Sequence, residues 1–321
     1  MADLGRQLDD RLRAQPAVEV IVQERLGRAG YVVEAQGHIV EDSSVLTADM
    51  IAALRCPICQ SGLSPSPRAL RCEHAHSFDL AKQGYAFLGT GKRLPEGDNA
   101  AMIEARCDFL GKGHFAPLTT AVAQAARSGL VVDLGAGPGH YLAAVLQRHH
   151  DAQGLAFDVS KAALRRAARA HPRAGAVLAD TWGQLPLADG CVDVLLNIFA
   201  PRNGEQMRRV LRPDGQLVVV TPEPGHLLEL RQRLALLNVD ESKQQRLAAS
   251  LSGFSQLTDE VLSWPMELSA HDARQLVLMG PNAFHEGDRE PGAMTVTASV
   301  RLSTWTGRPL PTRPAAHDEV L

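Results

Sequence analysis

No stretch of the 321 residues comes near the roughly 20 uninterrupted apolar positions that a membrane-crossing helix needs, and Met1 to Pro16 is polar and charged rather than leader-like. A helical membrane span and a secretory signal are therefore not expected, and the cytoplasm is the expected compartment. A strong net charge is also missing: 33 basic residues face 36 acidic ones, for a formal charge of −3. That balance disfavours a general nucleic-acid coat protein and leaves RNA binding to a local basic face. Lysine is scarce, at positions 82, 92, 112, 161 and 243 only, so the basic residues are nearly all arginine. Neither a G-x-G-x-x-G dinucleotide fingerprint nor a G-x-x-x-x-G-K-[ST] phosphate loop occurs, since the third glycine of the former would fall at His140. What is present, 45% hydrophobic residues with 27 Gly and 19 Pro, is the composition of a globular chain and excludes a fibre or a disordered coil.

The five cysteines are odd in number and uneven in placement, which argues for metal before disulfides. Cys56, Cys59, Cys72 and His76 read C-x2-C-x12-C-x3-H, two knuckles able to bring three thiolates and an imidazole to the corners of a tetrahedron around a structural Zn²⁺. His74 competes with His76 for the fourth corner, and the spacing favours His76. The short, turn-rich stretch around these residues has too little apolar material to fold unaided, and a metal supplies the help. Cys107 and Cys191 read as ordinary semi-buried thiols.

From Leu130 onward, short β-branched runs alternate with helix-length segments, the pattern of a parallel sheet with crossover helices. Strands are expected at 130–134, 154–158, 176–179, 192–198 and 215–221, with helices near 140–148, 160–170, 203–211 and 225–234. Two final strands, 254–266 and 296–305, flank a helix near 270–279. Before the sheet, helices are expected at 99–110, with Asp98 or Asn99 as N-cap, and at 117–127. A helical pattern over Leu4 to Leu26 carries no assignable chemistry.

The first strand runs into Asp133-Leu134-Gly135-Ala136-Gly137-Pro138-Gly139-His140, a glycine turn that lets backbone approach a ligand at the carboxyl edge of the sheet. Asp133 would repel a pyrophosphate but suits the cationic amino-acid end of S-adenosylmethionine, directly or through water. Asp158 ends the next strand, placed to accept ribose hydroxyls, and Asp180 ends the third, where side chain or neighbouring backbone meets the adenine. Three acids at three successive strand ends fit a nucleoside without phosphate.

These residues, together with Phe78 to Tyr85, Gly97-Asp98-Asn99 leading to Ala105-Arg106, Gly113-His114-Phe115, Ile198 to Asn203, Arg209 to Gly215 and Thr221 to Leu227, resemble the RlmA-type 23S rRNA (guanine-N1)-methyltransferases. The resemblance covers about 52–305, and the Phe-Ala-Pro-Arg-Asn and Met-Gly-Pro-Asn-Ala wordings look most like the Gram-positive branch, some of whose members confer tylosin-type macrolide resistance. It implies an α/β class I S-adenosylmethionine-dependent methyltransferase, Rossmann-like, with a seven-stranded mostly parallel sheet and an N-terminal zinc module. The substrate implied is a hairpin-loop guanine of 23S rRNA. By similarity, Phe115, the turn from Gly137 through Pro138 and Gly139 to His140, and His226 contact the cofactor. Asn197, Phe199, Ala200 and Pro201 close the fourth strand, where this fold places its acceptor pocket: Phe199 is expected to stack on the base, the Pro201 region to offer backbone acceptors and Arg202 to lie near a phosphate.

The expected organisation is an extension (1–50), a zinc-binding module (51–89), a helical linker (90–128), the methyltransferase domain (129–306) and a loose tail (307–321). Residues 1–50 are candidates for a homodimer contact. A rival reading of the same residues is a natural-product methyltransferase whose extension closes the cleft over a small substrate, which the near-neutral charge favours.

Overall fold

A run such as Leu130-Val131-Val132, apolar at consecutive positions, is stable as a strand only where both faces of the sheet are covered. The computed structural model, which describes residues 32–33, 39–40, 46–234, 250–280 and 290–307, builds that arrangement. The chain divides into two compact units, 1–42 and 43–321. In the first, β1 (Val32–Val33) pairs antiparallel with β2 (Ile39–Val40). The helical pattern over Leu4 to Leu26 and the tail from 308 lie outside the described residues.

The second unit opens with helix α1 (Ala48–Ala53), capped by Thr47, and a three-stranded antiparallel sheet of β3 (Ser64–Ser66), β4 (Ala69–Arg71) and β5 (Ser77–Asp79). Then come β6 (Tyr85–Phe87), α2 (Ala100–Gly111), α3 (Ala116–Ala125), β7 (Leu130–Leu134), α4 (His140–Arg148), β8 (Gln153–Asp158), α5 (Lys161–Ala167) and β9 (Ala174–Leu178). The chain continues through β10 (Val192–Ile198), α6 (Gly204–Val210), β11 (Leu211–Pro222), α7 (Leu228–Leu234), β12 (Ser255–Leu268), α8 (Ala270–Leu278) and β13 (Met294–Thr306).

The large sheet runs β12-β13-β11-β10-β7-β8-β9-β6. Strands β6 to β11 pair in parallel, whereas β13 is antiparallel to both β11 and β12. Where the sequence predicts seven strands, the sheet has eight. The extra one, β6, is three residues long, too short to show a period, and its partner β9 lies about 90 positions away in the chain.

Helix starts follow local chemistry. Asn99, not Asp98, caps α2, its Oδ1 accepting from the Met102 N–H at 3.0 Å. Ser160 does the same for α5, Asn203 for α6 and Ser269 for α8. Adjacent residues of each strand face opposite layers. Val131, Ala156 and Leu196 join Phe109, Leu118, Leu142 and Leu146 from the helices on one face. Val132, Leu155 and Phe157 join Met50 of α1 and Leu54 just after it on the other, together with Leu70 and Phe78 from the small sheet. The small sheet therefore shares its core with the large one. No helix among the described residues is long and apolar enough to cross a membrane.

Gly175, the second residue of β9, is covered by α1 and the residue leading into it: a Cβ there would lie 2.4 Å from Leu46 Cδ2 and 3.1 Å from Met50 Sδ. Gly175→Val, normally favourable in a strand, is expected to destabilise the chain by about 1–3 kcal/mol through overpacking, read as a lower urea midpoint at unchanged slope.

Candidate active site and metal centre

Two tight turns form the metal centre. In the first, the Gln60 N–H donates to the Cys56 carbonyl at 2.8 Å and the Cys56 N–H to the Ser61 carbonyl at 2.9 Å. In the second, the Ala75 N–H donates to the Cys72 carbonyl at 3.0 Å and the Cys72 N–H to the His76 carbonyl at 3.1 Å. Gln60 and Ala75 take φ of 63° and 62°, the left-handed conformation that reverses each turn and points its ligands inward. Cys56 Sγ lies 3.5 Å and Cys72 Sγ 3.3 Å from His76 Nδ1, and Cys59 Sγ is 3.7 Å from Cys72 Sγ. Zinc bonds of about 2.3 Å to sulfur and about 2.0 Å to nitrogen place tetrahedral neighbours roughly 3.5–3.8 Å apart, so the four atoms fit the ion. His74 is turned away and exposed, with Nδ1 3.2 Å from Ser61 Oγ. The Ser61 backbone N–H, followed by its side chain, holds the Cys59 thiol down to about 5, favouring the thiolate that zinc binds.

At the carboxyl edge of the large sheet, β7 passes into a turn in which Gly135, Gly137 and Gly139 all have positive φ, at 78°, 54° and 81°. The Gly135 and Ala136 N–H groups donate to the Phe157 carbonyl, at 2.9 and 3.0 Å, and tie the turn to β8. The Gly137 N–H donates to Asp158 Oδ2 and the Ser160 N–H to Asp158 Oδ1, both at 2.8 Å. Burial raises the Asp158 carboxyl; those two N–H groups pull it back, and the Asp98 charge pushes it up further. A carboxylate has about four lone-pair sites, so both oxygens can still accept hydroxyls. Asp133 is 2% exposed, and burial, with the Asp158 charge a smaller cause, pushes its carboxyl up to about 8. A buried acid whose strongest charged neighbour is another acid fits a cationic ligand. The glycine cradle and this acid together fit the amino-acid end of S-adenosylmethionine.

Aromatic rings gather beside the turn. Phe115 lies edge-on to Trp264 at 5.7 Å, with His226 at 6.3 Å and Phe199 at 6.4 Å. Phe199 has φ 53°, is 42% exposed, and stands 6.0 Å from the His226 ring. His226 Nδ1 accepts the Ser299 N–H at 3.1 Å, and burial holds its pKa down at about 4, so the ring is neutral near pH 7. His140 Nε2 lies 2.9 Å from Thr119 Oγ1, and burial lowers its pKa too. Asn197 is fully buried: Nδ2 donates to the Pro201 carbonyl at 2.9 Å, and Oδ1 has no hydrogen-bond partner.

Residues 54–88 match the zinc-ribbon family described as RlmA, N-terminal, and residues 131–215 match a methyltransferase domain. A protein of Micromonospora griseorubida, described as a 23S rRNA (guanine-N(1)-)-methyltransferase, is 49% identical over 80% of this chain and 98% of its own length. The 23S rRNA (guanine(748)-N(1))-methyltransferase of Streptomyces fradiae is 45% identical over 82% of this chain and 99% of its own. This chain belongs to the 23S rRNA (guanine-N1)-methyltransferase family. YxjB of Bacillus subtilis, given the same activity, is 34% identical over 56% of this chain.

Set against that family, the structure brings most of the predicted site residues together. Gly135, Gly137, Pro138 and Gly139 form one turn with Asp158 bound to it, and Phe115, Phe199 and His226 share one aromatic cluster. Asp180 stands apart from these contacts, two residues beyond β9, where Oδ1 accepts the Trp182 N–H at 2.8 Å. Two residues escaped the sequence reading. Arg106 pairs with Asp98 Oδ2 at 2.7 Å, donates to the Met279 carbonyl at 2.6 Å, and lies 3.2 Å from where a Gly137 Cβ would sit. Trp264 donates its indole N–H to the His114 carbonyl at 3.0 Å. The contacts with Met279 and His114 span over 100 residues and that with Gly137 spans 31, while the Arg106–Asp98 spacing of eight carries no helical signal across the α2 N-cap.

His76→Ala is expected to lose the metal and lower the melting temperature, whereas His74→Ala keeps about one zinc per chain. Metal content of the purified variants by atomic emission checks this, and equal loss in both would contradict the His76 assignment.

Proposed function

We propose that this chain transfers the methyl group of S-adenosylmethionine to N1 of a guanine in 23S rRNA, within a hairpin loop. The observation that carries the reading is the aromatic cluster with an exposed Phe199 set one residue past β10, beside the glycine turn, in a chain of this family. S-adenosylmethionine, when bound, supplies a methyl group activated by an adjacent sulfonium. The protein's part is to hold nucleophile, methyl and sulfur in line in a site shielded from water.

Gly135, Gly137 and Gly139 give the cofactor close backbone approach, Asp133 faces its ammonium, and Asp158 takes the ribose hydroxyls. Phe115, Pro138, His140, Asp180 and His226 complete its surroundings. A neutral His226 adds no positive charge beside a sulfonium, which favours a binding role over proton transfer. Phe199 offers a face on which the guanine stacks, and the Asn197–Pro201 pair supplies acceptors toward the base edge. N1 lies on the Watson–Crick edge of guanine, so the base must be unpaired or extruded to be reached, which is the argument for a loop. The zinc module then grips RNA through phosphates and shape.

Methylation at N1 blocks Watson–Crick pairing. Reverse transcription of 23S rRNA treated with the protein and cofactor is therefore expected to stop at one guanine in a hairpin loop, and nucleoside mass spectrometry to find 1-methylguanosine. Phe199→Ala is expected to lower kcat/KM for rRNA by about tenfold or more. A folded, zinc-loaded protein that binds cofactor but leaves rRNA unmodified would contradict the reading and direct attention to small-molecule acceptors.

A further inference from the structure

Of the chain's eight Phe, three Trp and three Tyr, those exposed among the described residues are Phe87, Trp182 and Phe199. All three stand at the carboxyl ends of parallel strands: Phe87 closes β6, Trp182 follows β9 and Phe199 follows β10. Trp182 is the most exposed, at 57%, and leaving so large an apolar side chain in water forgoes a substantial burial free energy. Its main chain is nevertheless fixed on both sides. The Trp182 N–H is held by Asp180, and its carbonyl accepts from Asn203 Nδ2 at 2.6 Å. An indole presented to solvent on a backbone hydrogen-bonded at both its N–H and its carbonyl is the geometry of a stacking platform.

The platform borders a cavity of about 570 Å³, within the range that holds small ligands. Besides Trp182, its lining includes Arg202, Arg208, Glu205, Ser250 and Ser252. Arg202 is half-buried, has no carboxylate partner among the described residues, and its Nε has no hydrogen-bond partner. Arg208 donates to the Ser252 carbonyl at 3.4 Å and pairs with no carboxylate either. Two guanidinium groups thus face the cavity against one carboxylate, the exposed Glu205. The far wall is packed closely: a Cβ on Gly204 would lie 1.7 Å from the Ser250 carbonyl oxygen, and one on Gly253 2.3 Å from Arg208 Nη1. A flat apolar face beside uncompensated guanidinium charge matches a nucleotide, one part for the base and one for the phosphate. Arg202 is three residues from Phe199, a span of at most about 10–11 Å, so the guanidinium side of the cavity begins close to the exposed Phe199.

We propose that this cavity takes the nucleotide adjoining the methylated guanine, its base on Trp182 and its phosphate on Arg202 and Arg208. The inference rests on the rRNA reading above and adds a second strand contact to it. The occupant that competes with it is the adenosyl part of the cofactor, because Asp180 and Trp182 lie where the adenine is expected to end.

The test compares the full-length zinc-loaded chain with Trp182→Ala, Trp182→Phe and Arg208→Gln, reading steady-state methylation of 23S rRNA and calorimetric affinity for S-adenosylmethionine. Trp182→Ala is expected to raise KM for rRNA about tenfold or more with cofactor affinity unchanged, and Trp182→Phe to restore most of the loss. Arg208→Gln, at an exposed position that leaves folding intact, is expected to reduce the salt dependence of rRNA binding by about one phosphate contact. An rRNA KM within twofold of the parent in Trp182→Ala overturns the proposal. So does a loss that falls on cofactor affinity, which assigns the cavity to the adenosyl group. If the parent chain itself does not modify rRNA, the reading beneath the proposal fails, and that outcome is seen before any variant is compared.

Discussion

The proposed site is built around a carboxyl group buried in the middle of a parallel sheet, with no cationic side chain paired to it among the described residues. Asp133 sits in β7, the strand flanked by β8 and β10, and its strongest charged neighbour is Asp158 at the end of β8. Such an arrangement costs stability in the free protein, because burial opposes ionisation and like charges repel. The cofactor's ammonium, in the role proposed above, offsets that cost. The glycine turn that follows is fixed in backbone form: its three positive-φ positions let it pass close to Ala200, Arg106 and Ala167, and its Gly137 N–H is directed at Asp158. Arg106 lies against the outer side of that turn, neutralised by Asp98, and so closes it without presenting a free charge to a cationic ligand.

The metal centre serves the same edge from a distance. Its small sheet contributes Leu70 and Phe78 to the core beneath β8 and β9, and the chain leaving it adds β6 to the large sheet directly alongside β9. Three-residue strands with so little apolar area do not hold themselves, and the tetrahedral ligand set replaces the missing core. Zinc is thus coupled to the sheet mechanically, through shared packing, and Phe87 at the end of β6 is carried to the same edge as Trp182 and Phe199.

Much of this was legible in the sequence because the signals are local. Apolar runs marked β7 to β11 within a few residues, Asp98 or Asn99 marked the start of α2, and the C-x2-C-x12-C-x3-H spacing marked the ligands, with His76 preferred over His74 as the structure has it. The glycine turn and Asp158 could be read as partners because each closes a strand and the strands are neighbours. Strand β6 was not legible, since three residues carry no period. Nor were the contacts of Arg209, which donates to the carbonyls of Leu185 and Leu187, both at 2.8 Å, across more than 20 residues. Trp182 and Arg202 show their significance only together, through a cavity formed by segments up to 70 residues apart. Contacts of that separation leave no trace in a periodicity.

The most direct test of this account is calorimetric titration of the zinc-loaded chain with S-adenosylmethionine in buffers of different ionisation enthalpy between pH 6 and 9. With its carboxyl raised to about 8, Asp133 is protonated in the free protein at neutral pH, whereas the bound cation requires the carboxylate. Binding below pH 8 is therefore expected to release up to one proton, with affinity rising as pH increases toward 8 and levelling above it, and Asp133→Asn is expected to abolish the release and weaken binding. Proton release and affinity unchanged in Asp133→Asn would contradict the central place given to that buried acid.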